Sequence, residues 1–374
     1  MEINDYLTVL QKVITDVIEP AAIETDRAAT FPRAAIDALS KAGLLGLISA
    51  KEMGGMGEGI RAASDVVERI GQACGSTAMV VCMHYCGTAV IEKFGAEAVR
   101  RDIAAGKHLT TLAFSEVGSR SHFWAPVGTA TKPNGQIVLD SKKSWITSAG
   151  EADSYVWSSK PVAAEGASTI WLVPSTANGV STVGQFDGLG LRGNASSPVT
   201  GIQVKVSAAD RLGADGGGFD LMMGVVLPIF QVLNASCSLG AMEASVTKAA
   251  AHVGGAKLEH LAQSLADLPT IRAYIARARI RTDSVRALLN DTLTAVETGR
   301  ADTMLRVLEI KAAAAEGALE VTDLAMRVCG GAAFRKEVGV ERHFRDARAA
   351  SVMAPTSDVL YDFIGKAVCG LPLF

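Results

Sequence analysis

Cys82, His84 and Cys86 alternate along the segment STAMVVCMHYCGTAVI, a spacing that invites a metal ion. On a helix, positions i, i+2 and i+4 do not share one face, and no fourth ligand is evident, so the sequence argues against zinc. His84 by itself has two readings. It is either a core histidine satisfied by one hydrogen bond or an acid–base group, since imidazole titrates near pH 6.5. A second cluster, Arg120-Ser121-His122, lies in SRSHFW and is either a solvated loop or a contact to substrate or phosphate. A third, Trp145-Ile146-Thr147, offers an indole wall and a hydroxyl, the alternative being an ordinary half-buried strand tryptophan.

These groups must be positioned by a chain of 374 residues, longer than one hydrophobic core sustains, so two or three domains are expected. Hydrophobic residues make up 49% and charged residues 20%, which excludes a disordered or collagen-like chain. Aromatics are only 5% while alanine abounds, which predicts a core of small side chains on closely packed helices. The net charge of -3 gives no case for nucleic acid or an anionic membrane as partner. The six cysteines form no C-x-x-C pair, and the opening MEINDYL lacks a basic leader, so a reducing cytoplasm is the expected location. No charge occurs from Leu221 to Met242, long enough to span a bilayer. Pro228, Gln231 and Asn234 within it, and the missing basic flank, favour a buried core helix instead.

Apolar residues recur at helical spacing through residues 1–110, interrupted by the glycine-rich KEMGGMGEGI, and the stretch DVVERIGQACGSTAMVVCMHYCGTAVIEKFG reads as buried helix. From 111 to about 213, alternating β-type runs lie between Gly, Pro and Asn, and Pro133-Asn134-Gly135 predicts a hairpin. From 214 to the end, long helical segments resume, interrupted at Gly330-Gly331.

That order resembles the acyl-CoA dehydrogenase family, and local matches extend the likeness over nearly the whole chain. Asp26, Phe31-Pro32, Gly43-Leu44-Leu45-Gly46 and Gly54-Gly55-Met56-Gly57 fall in the family's order. FSEVGSRS (114–121) is similar to its T-E-P-x-x-G-S segment, and SKKSWITSAGEAD (141–153) to N-G-x-K-x-W-I-T-N-G. GGAAF (330–334) and VERHFRDAR (340–348) resemble G-G-x-G-Y and R-x-x-R-D-A-R. The resemblance implies a mainly α fold: an N-terminal helical domain (1–110), a middle β-barrel (111–213) and a C-terminal four-helix bundle (214–374). It also implies FAD, held through Leu112, Phe114, Ser115, Ser121, Trp145, Ile146, Thr147 and Thr356. Arg327 and Gly331 would reach the FAD of a neighbouring subunit in a homotetramer.

The departures bear on mechanism. The family's usual catalytic Glu precedes Gly-Thr, but here VMAPTSDVL puts Ala354 and Pro355 at those positions. The alternative Glu site falls on Ile229 or Phe230, and Gln231 stands near where many members carry a substrate-orienting Arg. The R-x-x-F-G element expected near KLEHLAQ (257–263) is missing, and Arg327 replaces a family Gln. A positioned base is worth roughly 10²–10⁴ in rate, so dehydrogenation without one is slow. Relatives of this fold that oxygenate substrates lack the Glu in the same way and use a His and a Ser near the flavin. The expectation is therefore an FAD-dependent oxidoreductase on an acyl-CoA-type thioester with O2 as co-substrate. His84 and Ser121 are its candidate catalytic groups, and Arg120, His122, Gln231 and Ala354 its substrate contacts. The alternative is a dehydrogenase with its base supplied from elsewhere, and a partner flavin reductase or electron carrier stays open.

Overall fold

The computed structural model describes residues 5–119, 121–184 and 186–373. The chain begins with helices α1 (Asp5–Val13), α2 (Glu19–Ala28), α3 (Arg33–Lys41), α4 (Ile60–Ala73), α5 (Gly75–Phe94) and α6 (Glu97–Ala104). The apolar stretch expected as one helix is two, because Cys74 is extended (φ -150, ψ 108) between α4 and α5. The break lets Gly75 pack against Asp346, where a Cβ would meet a carboxylate oxygen at 2.8 Å.

The middle of the chain supplies β1 (Thr110–Ala113), β2 (Thr129–Thr131), β3 (Ile137–Ile146), β4 (Ser154–Ser159), β5 (Thr169–Pro174), β6 (Val180–Thr182), β7 (Ser197–Val206) and β8 (Arg211–Leu212). They form two four-stranded sheets, ordered β1-β4-β5-β8 and β2-β3-β7-β6. β1 and β4 run parallel, and the other pairs are antiparallel. The hairpin falls where Pro133-Asn134-Gly135 predicts it, with Asn134 and Gly135 both at positive φ. Leu139, Tyr155, Trp157, Trp171, Val199 and Val204 fill the space between the sheets.

A charged pair shares that space. Lys143 lies at the inward parity of β3 and is 1% exposed. Its Nζ donates to Glu116 Oε1 at 2.6 Å and to the Ser158 carbonyl of β4 at 2.6 Å. Glu116 also accepts from the Ser141 hydroxyl and from the backbone N–H groups of Val127 and Gly128. Burial alone would raise the Glu116 pKa, but the Lys143 ammonium and this donor set hold it below the usual carboxylate range.

After β8, α7 (Gly218–Leu221) passes through a π-helical turn into α8 (Leu227–Gly255). Then come a small hairpin, β9 (Lys257–Leu258) and β10 (Gln263–Ser264), and helices α9 (Pro269–Thr298), α10 (Thr303–Cys329), α11 (Val340–Val352) and α12 (Ser357–Val368). This region is thus interrupted more often than at Gly330-Gly331. Residues 218–255 are long and apolar enough to cross a membrane, yet 72% of their most apolar window is buried inside the protein. Small residues permit that contact: a Cβ on Gly240 would meet the Glu68 carbonyl of α4 at 2.5 Å. The motif residues of the last region act as a staple. Arg345 on α11 makes a bidentate pair with Asp26 on α2 (2.8 and 2.6 Å), and Asp346 accepts from the Leu191 N–H.

Lys143→Met leaves Glu116 buried without its counter-charge and should cost about 3–5 kcal/mol, read as a lower Tm or urea midpoint. Adding Glu116→Gln should recover part of the loss. A single variant as stable as wild type would show that the pair is not needed.

Candidate active site

β1 ends in the segment that carries Phe114 and Ser115, and β3 runs beside it. The Ser115 carbonyl accepts from Ser144 N at 2.9 Å, which fixes the two segments side by side. The register of β3 against β7 then shifts between Lys143 and Ile146, and Trp145 takes φ 56. That left-handed backbone, unusual for a bulky residue, turns the indole outward, 62% exposed and stacked on Phe186 at 4.0 Å. Ile146 turns inward into the core between the sheets, as Leu112 does into the main helical core. Their side chains are therefore spent on packing, and only their main chain remains to serve a ligand. Thr147 is 4% exposed, and its hydroxyl makes no hydrogen bond among the described residues.

The second half of the site comes from the loop after β1. Phe114 stacks on Phe123 (6.5 Å, 9°), Phe123 meets Trp124 edge-on (5.2 Å), and Trp124 contacts Phe363 of α12 (5.7 Å). This aromatic row docks the loop on the last helix. A polar contact reinforces it: the Ser121 hydroxyl accepts from Thr356 N at 3.1 Å, and Thr356 caps α12. Ser121 and Thr356, far apart in sequence, are thus brought together. His122 lies edge-on to Trp124 at 5.1 Å and, with Asp358, Asp362, Phe363 and Lys366, lines an open cavity of about 420 Å³. Arg120 lies outside the described residues.

Behind the loop is the segment Met353-Ala354-Pro355-Thr356. Lys311 of α10, fully buried, donates to the carbonyls of Met353 (2.8 Å) and Pro355 (2.6 Å) and so straps the backbone on both sides of Ala354. Burial pushes the Lys311 ammonium down to about 7. From α8, Asn234 donates to Met353 Sδ at 3.3 Å. Gln231, one turn earlier on the same face, is fully buried. Neither Ala354 nor its segment neighbours from 353 to 357 carry a carboxylate, and Ile229 and Phe230 supply none.

His84 lies apart from this cluster. His84 is wholly buried in α5, with Nε2 on the Leu45 carbonyl (3.0 Å) and Nδ1 accepting from Thr110 N (3.2 Å). Burial pushes its pKa down to about 4. Both nitrogens are committed to backbone, so His84 ties the Leu44–Gly46 turn to the start of β1. Arg327 and Gly331 are likewise not part of this cluster. Arg327 lies at the far end of α10 from Lys311, about 24 Å along the helix at 1.5 Å per residue, and rests over Tyr274.

Lys143, Lys311 and Asn234 escaped the sequence reading. Lys143 was within reach of it: a lysine at the same parity as Ile137 and Leu139 must be buried and therefore paired. Lys311, inside the alanine-rich stripe EIKAAAA, carries the helical form of the same signal.

Comparison with known proteins places this geometry in a family. Residues 2–106, 111–204 and 216–369 match the family profiles acyl-CoA dehydrogenase N-terminal domain, middle domain and C-terminal domain. The chain belongs to the acyl-CoA dehydrogenase family, a class of flavin-dependent oxidoreductases that hold FAD. It is 26% identical to cyclohex-1-ene-1-carbonyl-CoA dehydrogenase of Geobacter metallireducens, over 97% of this chain and 96% of that protein. It is 27% identical to the mitochondrial short-chain specific acyl-CoA dehydrogenase of Bos taurus, over 96% and 89%. Its fold superposes on butyryl-CoA dehydrogenase from Megasphaera elsdenii with a TM-score of 0.91 at 22% identity, covering 98% and 97% of the two chains. The residues present fit FAD. Trp145 offers an exposed aromatic wall, and the Thr147 and Ser121 hydroxyls each have a hydrogen to donate.

Two substitutions separate cofactor wall from core. Trp145→Ala should weaken FAD affinity about tenfold, the scale of one lost aromatic contact, with little change in Tm of the apoprotein. His84→Ala should lower Tm, through about 1–3 kcal/mol of unsatisfied backbone groups, while FAD absorbance per chain stays at the wild-type value. The reverse pattern in fluorescence titration and melting would exchange their roles.

Proposed function

We propose that this protein is an FAD-dependent oxidoreductase acting on an acyl thioester with dioxygen as co-substrate, the flavin receiving its electrons from a partner reductase or electron carrier. The observation that carries the reading is the segment around Ala354. The position where the family resemblance expects a carboxylate to take the substrate's α-proton is Ala354 in this chain, with the neighbouring carbonyls held by Lys311 and Met353 bonded to Asn234 of α8. The bound flavin would supply electron acceptance and, once reduced, electrons for dioxygen.

The chain's own residues supply the rest. Trp145 and Phe186 would cover one side of the ring system, and the Thr147 and Ser121 hydroxyls would donate to its polar edge. With His84 committed to the core, the imidazole beside Ser121 is His122, which lines the 420 Å³ cavity and would deliver a proton there. The aromatic row from Phe114 to Phe363 would exclude water from the same place. Arg327 and Gly331, far from the site in their own chain, support a homotetramer in which they serve a neighbour's FAD.

A second reading is α,β-dehydrogenation with electrons passed to a carrier protein, favoured by the dehydrogenase names of relatives that match along nearly the whole chain. Oxygen decides between the two. The FAD protein supplied with reduced flavin equivalents should consume O2 in step with product, and an anaerobic assay should form none. Ala354→Glu with Pro355→Gly should add enoyl-thioester formation with butyryl-CoA, within the roughly 10²–10⁴ range of a gained base. Wild-type enoyl-thioester formation at an undiminished rate without O2, with an artificial electron acceptor, would establish the dehydrogenase reading instead.

A further inference from the structure

Gln231 is a polar side chain without a partner. It is 0% exposed, and both Oε1 and Nε2 lack a hydrogen bond among the described residues. The buried serines of α8 are paired, whereas the amides of Gln231 and Asn234 each keep an oxygen without a partner among the described residues. Ser236 bonds the Val232 carbonyl and the Ser64 hydroxyl, Ser238 the Asn234 carbonyl, and Ser245 the Ala241 carbonyl. A buried carboxamide with donor and acceptor both idle forfeits the full desolvation of each atom, and folded proteins rarely tolerate that without a use.

Its location supplies the use. Gln231 lies one helical turn before Asn234 on α8; Asn234 is bonded to Met353, and the Met353 and Pro355 carbonyls accept from Lys311. The amide is thus one turn from the contact that holds the Ala354 segment against α8. No charged group pairs with it, so an anionic ligand finds one NH2 donor set beside a repelling carbonyl, and a plain hydrocarbon leaves both atoms unmet. A neutral group that donates and accepts at once satisfies both.

We propose that Gln231 is a specificity-determining residue that reads a neutral hydrogen-bonding group, a hydroxyl or carboxamide, on the acyl portion of the substrate. This rests on the acyl-thioester reading given above and narrows it: the substrate is a functionalised acyl group rather than a simple fatty acyl chain. A pocket built on hydrogen bonds rejects the analogue that lacks them far more strongly than an apolar pocket rejects a missing methylene.

The test is binding to the FAD-loaded protein by isothermal titration, with butyryl-CoA and 3-hydroxybutyryl-CoA as probes, in wild type and Gln231→Leu. Wild type should bind the hydroxylated thioester at least about tenfold more tightly. Gln231→Leu should erase that ratio, and its Tm should equal or exceed that of wild type, since an unpaired amide has been replaced by an apolar side chain of similar size. Equal binding of both probes by wild type overturns the proposal. So does a variant that weakens both probes alike, which would put Gln231 on the thioester itself, or one that melts well below wild type, which would make the amide structural. If neither thioester binds, the acyl-thioester reading fails, and butyramide against 3-hydroxybutyramide then decides the role of Gln231 by the same ratio.

Discussion

A lysine ammonium placed between two β-sheets is stable only while an opposite charge faces it, and the candidate site hangs from that requirement. Lys143 sits on one sheet, donates to a carbonyl of the other, and meets Glu116 from the segment after β1. Glu116 in turn gathers the Val127 and Gly128 N–H groups, so the whole excursion from Ser115 to Gly128 is closed on itself. The elements named as cofactor wall and hydroxyl donors lie immediately before, within or beyond these anchors. An apolar pair of similar volume would hold the sheets together as well. What the ion pair adds is a fixed direction, because a carboxylate with several donors tolerates few alternative placements.

Much of the architecture was legible because it rests on local rules. The Pro-Asn-Gly hairpin, the apolar helix that begins near Leu221 and the order of helical, β and helical regions follow from turn chemistry and periodicity. The site was legible only where a side chain's role is local. Ser121 and Thr356 were each identifiable, yet the hydrogen bond that joins them spans more than half the chain. His84 drew attention by residue type alone, whereas its partners, the Leu45 carbonyl and the Thr110 N–H, belong to segments that meet it only in three dimensions. The split between α4 and α5 was hidden for the same reason, since the close approach it permits, Gly75 to Asp346, joins segments far apart in sequence.

The segment around Ala354 carries no acid of its own from 353 to 357. Its neighbours in space are an asparagine on a thioether and a lysine committed to two carbonyls. Such a wall holds shape and hydrogen-bond direction without imposing a proton acceptor.

The bidentate pair between Asp26 and Arg345 has a consequence for how the molecule is made. Its partners are separated by 319 positions, and at ribosomal rates of about 5–20 residues per second Arg345 emerges on the order of half a minute after Asp26. Throughout that interval the first helices lack the staple that fixes them, and the Leu191 turn lacks the Asp346 carboxylate that ends it. A nascent chain of this kind carries apolar helix faces that wait on its last segment, so completion of synthesis, rather than local helix formation, sets when the native arrangement first becomes available.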